Sequence, residues 1–361
     1  MKVNLEQIQT WLDREITPFA NEIDRSPQSL QIALQKMSDL SLLALKVPTE
    51  LGGSSWSELD YRRLQVMMAR TSGALTFLQT QHQSAAVMLA KSDNQELKQK
   101  LLPYMATGKV LIGVGFSHLR RQGIPMVAAR EVSSGYEITG EVPWITGYNF
   151  LDRFILGATL EDGRELYGIL PLKTVLGDEK GGITVSLPMK LMAIASSNTV
   201  SAKIDRWHLE KDSIVSIKPA GSIHQSSRHN ILNHGWYALG CAYAGLDILS
   251  SLAAKKQLDF LEIAWQNLDR EVKQAEQLAL NLATKDSIHY QEKLELRGHL
   301  INLASRCAQA AIIASSGAAN YLETNAARVY REALLFAVSG QTEDVMEISI
   351  RKLLNFDYLG V

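Results

Sequence analysis

The sequence predicts a mainly α-helical chain with a central β domain, and three observations carry that reading. Apolar residues recur at helical spacing over the first hundred or so positions. From Lys109 to about Pro219 the pattern breaks into short apolar runs bounded by Gly, Asp, Pro or Ser, as short strands do. After Ser222 helical spacing returns in long segments that suit a bundle. The expected domains are an N-terminal α-helical domain at 1–108, a small antiparallel β-barrel at 109–221 and a C-terminal helical bundle at 222–361.

In the first domain Val3, Ile8, Trp11 and Leu12 form one stripe, and Ile32, Leu34, Met37 and Leu40 another. The run from Pro48 to Gly53 then punctuates the chain. A third helix carries Tyr61, Leu64 and Met68, a fourth surrounds 85–89, and a fifth at 95–105 closes at Thr107-Gly108. Strands are expected at 110–116, 136–138, 154–158, 166–170, 182–186 and 200–204. The bundle should hold helices at roughly 227–258, 260–284 and 289–321, followed by a closing pair.

That closing pair, within 327–354, is where chemistry is expected. The first helix buries Val329, Ala333 and Phe336, and Ser339-Gly340 interrupts it. Thr342 suits the N-cap of the second, with Glu343 and Asp344 in its first turn, where acids favour the helix dipole. Met346, Ile350, Leu353 and Leu354 make the second helix's apolar stripe. A turn held between two packed helices can aim a group into a site.

Composition excludes several classes of function. A chain of 361 residues that is 46% hydrophobic builds a substantial core, and 37 basic against 38 acidic residues leave no footprint for nucleic acid or an anionic membrane. Cys241 and Cys307 sit in apolar helical patterns with no metal-ligand spacing, so they are expected to be inert core thiols and no metal site is expected. The N-terminal amphipathic helix lacks the apolar core of a signal peptide, and a cytoplasmic location is expected. The most apolar stretch, 231–254, is broken by Asn233, His234 and Asp247, short of the roughly 20 apolar residues of a membrane span.

The order of helical domain, β domain and long-helix bundle resembles the acyl-CoA dehydrogenase family over nearly the whole chain. The pieces that carry the resemblance are PTELGG at 48–53, LLP at 101–103 before Gly108-Lys109, GEVPWIT at 140–146, GCAYAGLD at 240–247 and RVYREA at 328–333. The resemblance implies a bound FAD, an acyl thioester such as acyl-CoA as substrate, and a homodimer or homotetramer. It also implies roles: Trp144 packs on the isoalloxazine, the Thr146 hydroxyl meets its N5 edge, and Ser117 keeps a hydroxyl in the loop after the first strand. Lys256 stands where the family has an arginine that reaches the FAD pyrophosphate of a neighbouring subunit.

The departures are as informative. The family's Thr-Glu-Pro-x-x-Gly-Ser loop becomes SHLRRQG at 117–123, in which Arg120-Arg121 is expected to face water. A Gln-x-Phe-Gly-Gly motif becomes IASSG at 313–317. The family's catalytic glutamate falls at Gly340 when counted from Arg331, and the alternative carboxylate on the first bundle helix falls at Asn230, beside Ile231. Neither residue accepts a proton at neutral pH. Glu343, Asp344, His118 or His229 could substitute, although the two acids are better explained as first-turn residues of their helix. Gly340→Glu is expected to restore a carboxylate to the family's position. Three functions stay open: a flavoprotein dehydrogenase acting on a CH–CH group with a relocated base, a reduced-flavin monooxygenase-like relative, and a non-catalytic homologue serving as a binding or structural subunit.

Overall fold

Polar side chains that accept backbone N–H groups start most of the N-terminal helices. A computed structural model describes residues 4–178, 180–285 and 289–354, so Val3 of the first expected stripe lies outside the described residues. Helix α1 (Leu5–Trp11) opens with a capping box between Asn4 and Gln7. It runs through one wide turn into α2 (Ala20–Arg25), and Ser26 caps α3 (Pro27–Asp39). Ser57 caps α4 (Glu58–Thr71), Ser72 caps α5 (Gly73–Ala90) and Asn94 caps α6 (Gln95–Ala106). The α3 stripe is rotated from the expected one: Leu30, Ala33, Leu34 and Met37 are buried, while Ile32 lies exposed. On α5, His82 is fully buried. Its Nδ1 accepts the Ile112 N–H and its Nε2 donates to the Met105 carbonyl, and burial pushes its pKa down to about 4.

Nine strands follow among the described residues: β1 (Ile112–Gly115), β2 (Val127–Val132), β3 (Gly135–Ile145), β4 (Arg153–Leu160), β5 (Glu165–Pro171), β6 (Val175–Asp178), β7 (Gly181–Val185), β8 (Val200–Glu210) and β9 (Ile214–Lys218). Six were expected; β2, β6 and β9 were not. The sheet is mostly antiparallel, along the path β6-β7-β8-β3-β2-β4-β5-β9, but it is mixed and open along that path rather than a purely antiparallel barrel. The cause is one shared edge. Both β1, at 153–156, and β2, at 159–160, pair in parallel with β4, and the chain between them bows away in the turn Ser117–Arg120. A second irregularity lies at the end of β3, where 142 to 145 spans three steps against two on β8. This bulge lifts Pro143 and Trp144 off the ladder and re-aims Trp144.

The C-terminal helices are α7 (Ser222–His229), α8 (Gly235–Lys256), α9 (Asp259–Ala283), α10 (Tyr290–Ser315), α11 (Asn325–Val338) and α12 (Glu343–Leu353). The helix expected across 227–258 is therefore broken at residues 230–234, where Asn230 turns its amide back onto the Ser226 carbonyl. Helix α8 is long and apolar enough to cross a membrane on length and composition alone. It is mostly buried instead, and its Gly240 lets α4 approach so closely that a Cβ would stand 2.4 Å from the Val66 carbonyl. Cys241 and Cys307 are buried in the bundle and their thiol pKa values are raised by that burial. Thr342 does cap α12, accepting from Val345, but the expected apolar stripe is out of phase. Val345 and Ile348 are buried, whereas Met346 and Ile350 are 47% and 50% exposed.

Candidate functional site

A cleft of about 820 Å³ opens where the three parts of the chain meet. The β domain supplies one wall. Trp144, 48% exposed because of the β3 bulge, presents its indole to the cleft. Thr146 lies buried beside it, its hydroxyl sharing a 3.0 Å hydrogen bond with that of Thr199. Ser117 and Arg120 reach the cleft from the turn between β1 and β2, and Phe77 reaches it from α5.

The turn between α11 and α12 makes the opposite wall, and a buried cation holds it in place. Arg297 of α10 donates to the carbonyls of Ile231, Ser339 and Gly340 at 2.8, 2.8 and 2.9 Å. Burial, with the neighbouring charge of Arg120, pushes its pKa down to about 10, so it stays charged at neutral pH. Gly340 sits at φ +60°, and a Cβ there would stand 2.5 Å from the His234 ring. The His234 pKa is held well below its ordinary value by burial, then by Arg297, Arg120 and Arg62, so the ring is neutral. Its Nδ1 and the Gln341 Oε1 are buried without hydrogen-bond partners among the described residues.

Two acids line the mouth. Asp344 accepts from the Tyr290 hydroxyl and lies 3.9 Å from Arg228, whose guanidinium stacks 4.1 Å from the Tyr290 ring. Glu343 is exposed on the cleft, with no hydrogen bond or ion pair to another described residue.

The remaining sequence candidates fall elsewhere. His118 is buried behind the cleft, donating from Nε2 to the Gly157 carbonyl at 2.9 Å, with its pKa lowered by burial. His229 and Asn230 do not line the cleft. Lys256, expected to face a neighbouring subunit, does not line this cleft and caps α10: it donates to the Ala314 carbonyl at 2.6 Å and lies 3.3 Å from the Ser316 hydroxyl. Arg120 corrects the expectation of a solvated pair. Arg121 is exposed, but Arg120 packs under α7, where its Nε donates to Ser227 Oγ at 2.9 Å and burial lowers its pKa.

Residues 4–109 match the acyl-CoA dehydrogenase N-terminal domain. Over 97% of its length the chain is 23% identical to a probable acyl-CoA dehydrogenase, YngJ, of Bacillus subtilis (strain 168), and it covers 96% of that protein. The chain belongs to the acyl-CoA dehydrogenase family. Solved structures agree on the acyl-CoA dehydrogenase fold. A glutaryl-CoA dehydrogenase in complex with glutaryl-CoA superposes with a TM-score of 0.80 at 19% identity, over 98% of this chain and 97% of that one. A glutaryl-CoA dehydrogenase from Mycobacterium smegmatis in complex with FADH2 gives 0.78 at 16% identity, over 98% and 94%.

Within this acyl-CoA dehydrogenase fold the turn at 339–342 faces the cleft without a carboxylate, and the structure reverses one expectation about it. Gly340→Glu will not simply restore an acid, because the new side chain meets the His234 ring and a backbone conformation that favours glycine. We expect a loss of about 1–3 kcal/mol from overpacking, read by urea denaturation, with no gain in acyl-CoA-dependent flavin reduction. A variant as stable as the parent that gains flavin reduction would overturn this. Sequence reasoning also missed Arg297 and His234, which shape the turn. His234 left a signal as a polar break in the apolar stretch 231–254, whereas Arg297 stands among Lys293, Glu295 and His299 on its helix and left none.

Proposed function

We propose that this acyl-CoA dehydrogenase-like oxidoreductase uses FAD and acts on a CH–CH group of an acyl thioester. The observation that carries the reading is the cleft itself, in which the Trp144 indole and Thr146 hydroxyl face the turn at 339–342 across a volume suited to a flavin ring and an acyl chain. The residues fit the ring end of the cofactor. Trp144 offers an aromatic face, Thr146 a hydroxyl oriented by Thr199, and Gln341 an unpartnered buried acceptor. Bound FAD would supply the hydride acceptor. The relatives solved with glutaryl-CoA and with FADH2 support both ligand classes.

The chain's own residues bind, orient and take the proton. Trp144 stacks, Thr146 and Ser117 present hydroxyls, and Arg297 fixes the turn that closes the far wall. Asp344 is engaged by Tyr290, which leaves Glu343 as the unengaged carboxylate on the cleft and the group best suited to accept the substrate α-proton. Tyr330, Leu334 and Val338 leave an apolar face on α11, in keeping with assembly into a homodimer or homotetramer.

The test is direct. Purified protein is expected to absorb near 450 nm as bound oxidised flavin does, and to bleach anaerobically on adding an acyl-CoA. A colourless protein that takes up no added FAD sinks the reading. Bound flavin that consumes oxygen with an external reductant, and ignores every acyl-CoA tried, would favour the monooxygenase-like alternative.

A further inference from the structure

Arg120 is a part-buried charge in the cleft that the proposed function does not use, unlike Arg121 and Arg228 beside it, which are exposed. Other interior arginines are neutralised by acids or held by several acceptors. Arg62 meets Glu58, Arg328 meets Glu332, Arg331 meets Asp24, and Arg297 is held by three carbonyls. For Arg120, among the described residues, the structure provides one neutral acceptor, Ser227 Oγ, and no carboxylate. Ser227 gives its own proton to the Ile223 carbonyl at 2.8 Å, so it serves Arg120 as an acceptor. With Nε engaged there, the two terminal nitrogens of the guanidinium are left for another partner. Holding a guanidinium partly out of water without an anion is costly.

The position of Arg120 narrows what that anion is. It lines the same cleft as the turn at 339–342, and its charge adds to the burial that depresses both His234 and Arg297 beneath that turn. The region around Gly340 is thus electropositive and carries no acid of its own. The acids on the cleft, Glu343 and Asp344, stand at the start of α12, where Asp344 is tied to Tyr290 and Arg228. We propose that Arg120 pairs with a carboxylate on the acyl group of the substrate, so that this chain takes an anionic acyl thioester, one whose acyl chain ends in a second carboxylate. Two terminal N–H groups in a planar fork suit a carboxylate's two oxygens. The inference deepens the proposed function and rests on it for the thioester half of the ligand.

The experiment compares two probes that share the CoA moiety and the number of acyl carbons, glutaryl-CoA and pentanoyl-CoA. Their binding to the full chain is measured calorimetrically, with FAD affinity measured separately. Wild type is expected to bind glutaryl-CoA at least tenfold more tightly than pentanoyl-CoA. Arg120→Met should abolish the difference by weakening glutaryl-CoA alone, and Arg120→Lys should retain part of it. A wild type that binds both probes equally overturns the proposal, as does an Arg120→Met variant that keeps the preference. If Arg120→Met instead loses FAD affinity and weakens both probes alike, the partner is a phosphate of the cofactor and the proposal is wrong. Should Arg120→Met not fold, the wild-type ratio and Arg120→Lys still decide. Because the readout is binding, a colourless protein that prefers glutaryl-CoA would sink the flavin reading while leaving this one standing.

Discussion

Glu332→Ala is expected to lower the unfolding free energy by about 3–5 kcal/mol, the cost of breaking a buried ion pair from one side. Glu332 is fully buried in α11 and accepts from Arg328 Nη1 with both carboxylate oxygens, at 2.9 and 2.8 Å. The same carboxylate accepts the Gly73 N–H at 2.9 Å, the first amide of α5. Burial raises its pKa, and Arg328 opposes that rise. Alanine would leave Arg328 with Asn21 as its side-chain partner, at 3.2 Å, and would leave the Gly73 amide without its acceptor. Glu332→Gln, which keeps an oxygen for Gly73, should cost less. Urea denaturation at neutral pH gives the answer, and a loss below about 1 kcal/mol for the alanine variant would mean that water replaces the carboxylate.

Arg297→Met should cost about 3 kcal/mol, roughly 1 kcal/mol for each carbonyl that loses its donor. Its effect on the site should exceed its effect on the fold. Without the guanidinium the hydrogen bonds that tie Ile231 to Ser339 and Gly340 are lost, so the wall facing Trp144 loosens. Amide hydrogen exchange at residues 339–342 should quicken more than exchange in the core of α8, and acyl-CoA affinity should fall. Arg297→Lys should not rescue either, because one ammonium cannot reproduce the planar fork. Unchanged exchange at the turn would show that α11 and α12 hold it without help.

Periodicity made the order of helical, β and helical regions legible, because long amphipathic segments such as α4 show which face they bury. It failed where a face is set by something distant. The phase of α12 is fixed by the Thr342 cap and by packing on α10, so Met346 and Ile350 look buried in the sequence and are not. The strands β2 and β6 lack the apolar runs that revealed the others, whereas β9 carries Ile214, Val215 and Ile217, so its omission from the expected strands was not for want of a signal. In the site, Trp144 and Thr146 were legible as a motif and both line the cleft. Arg120 was not, since the helix that covers it, with Ser227, comes 107 residues later. Arg328, Arg331 and Glu332 were visible as a family landmark, but not the contact of Arg331 with Asp24, 307 residues away.

The ring beneath Gly340 also constrains how this chain could change over generations. A single-codon change at 340 brings any larger side chain against His234, so an acid can settle there only after position 234 has become smaller. The order of substitutions therefore matters. The first step opens a gap in the packing and leaves the turn still without an acid, and the second is tolerated only on that background. Such dependence works as a ratchet, making a carboxylate at this turn far easier to lose than to regain.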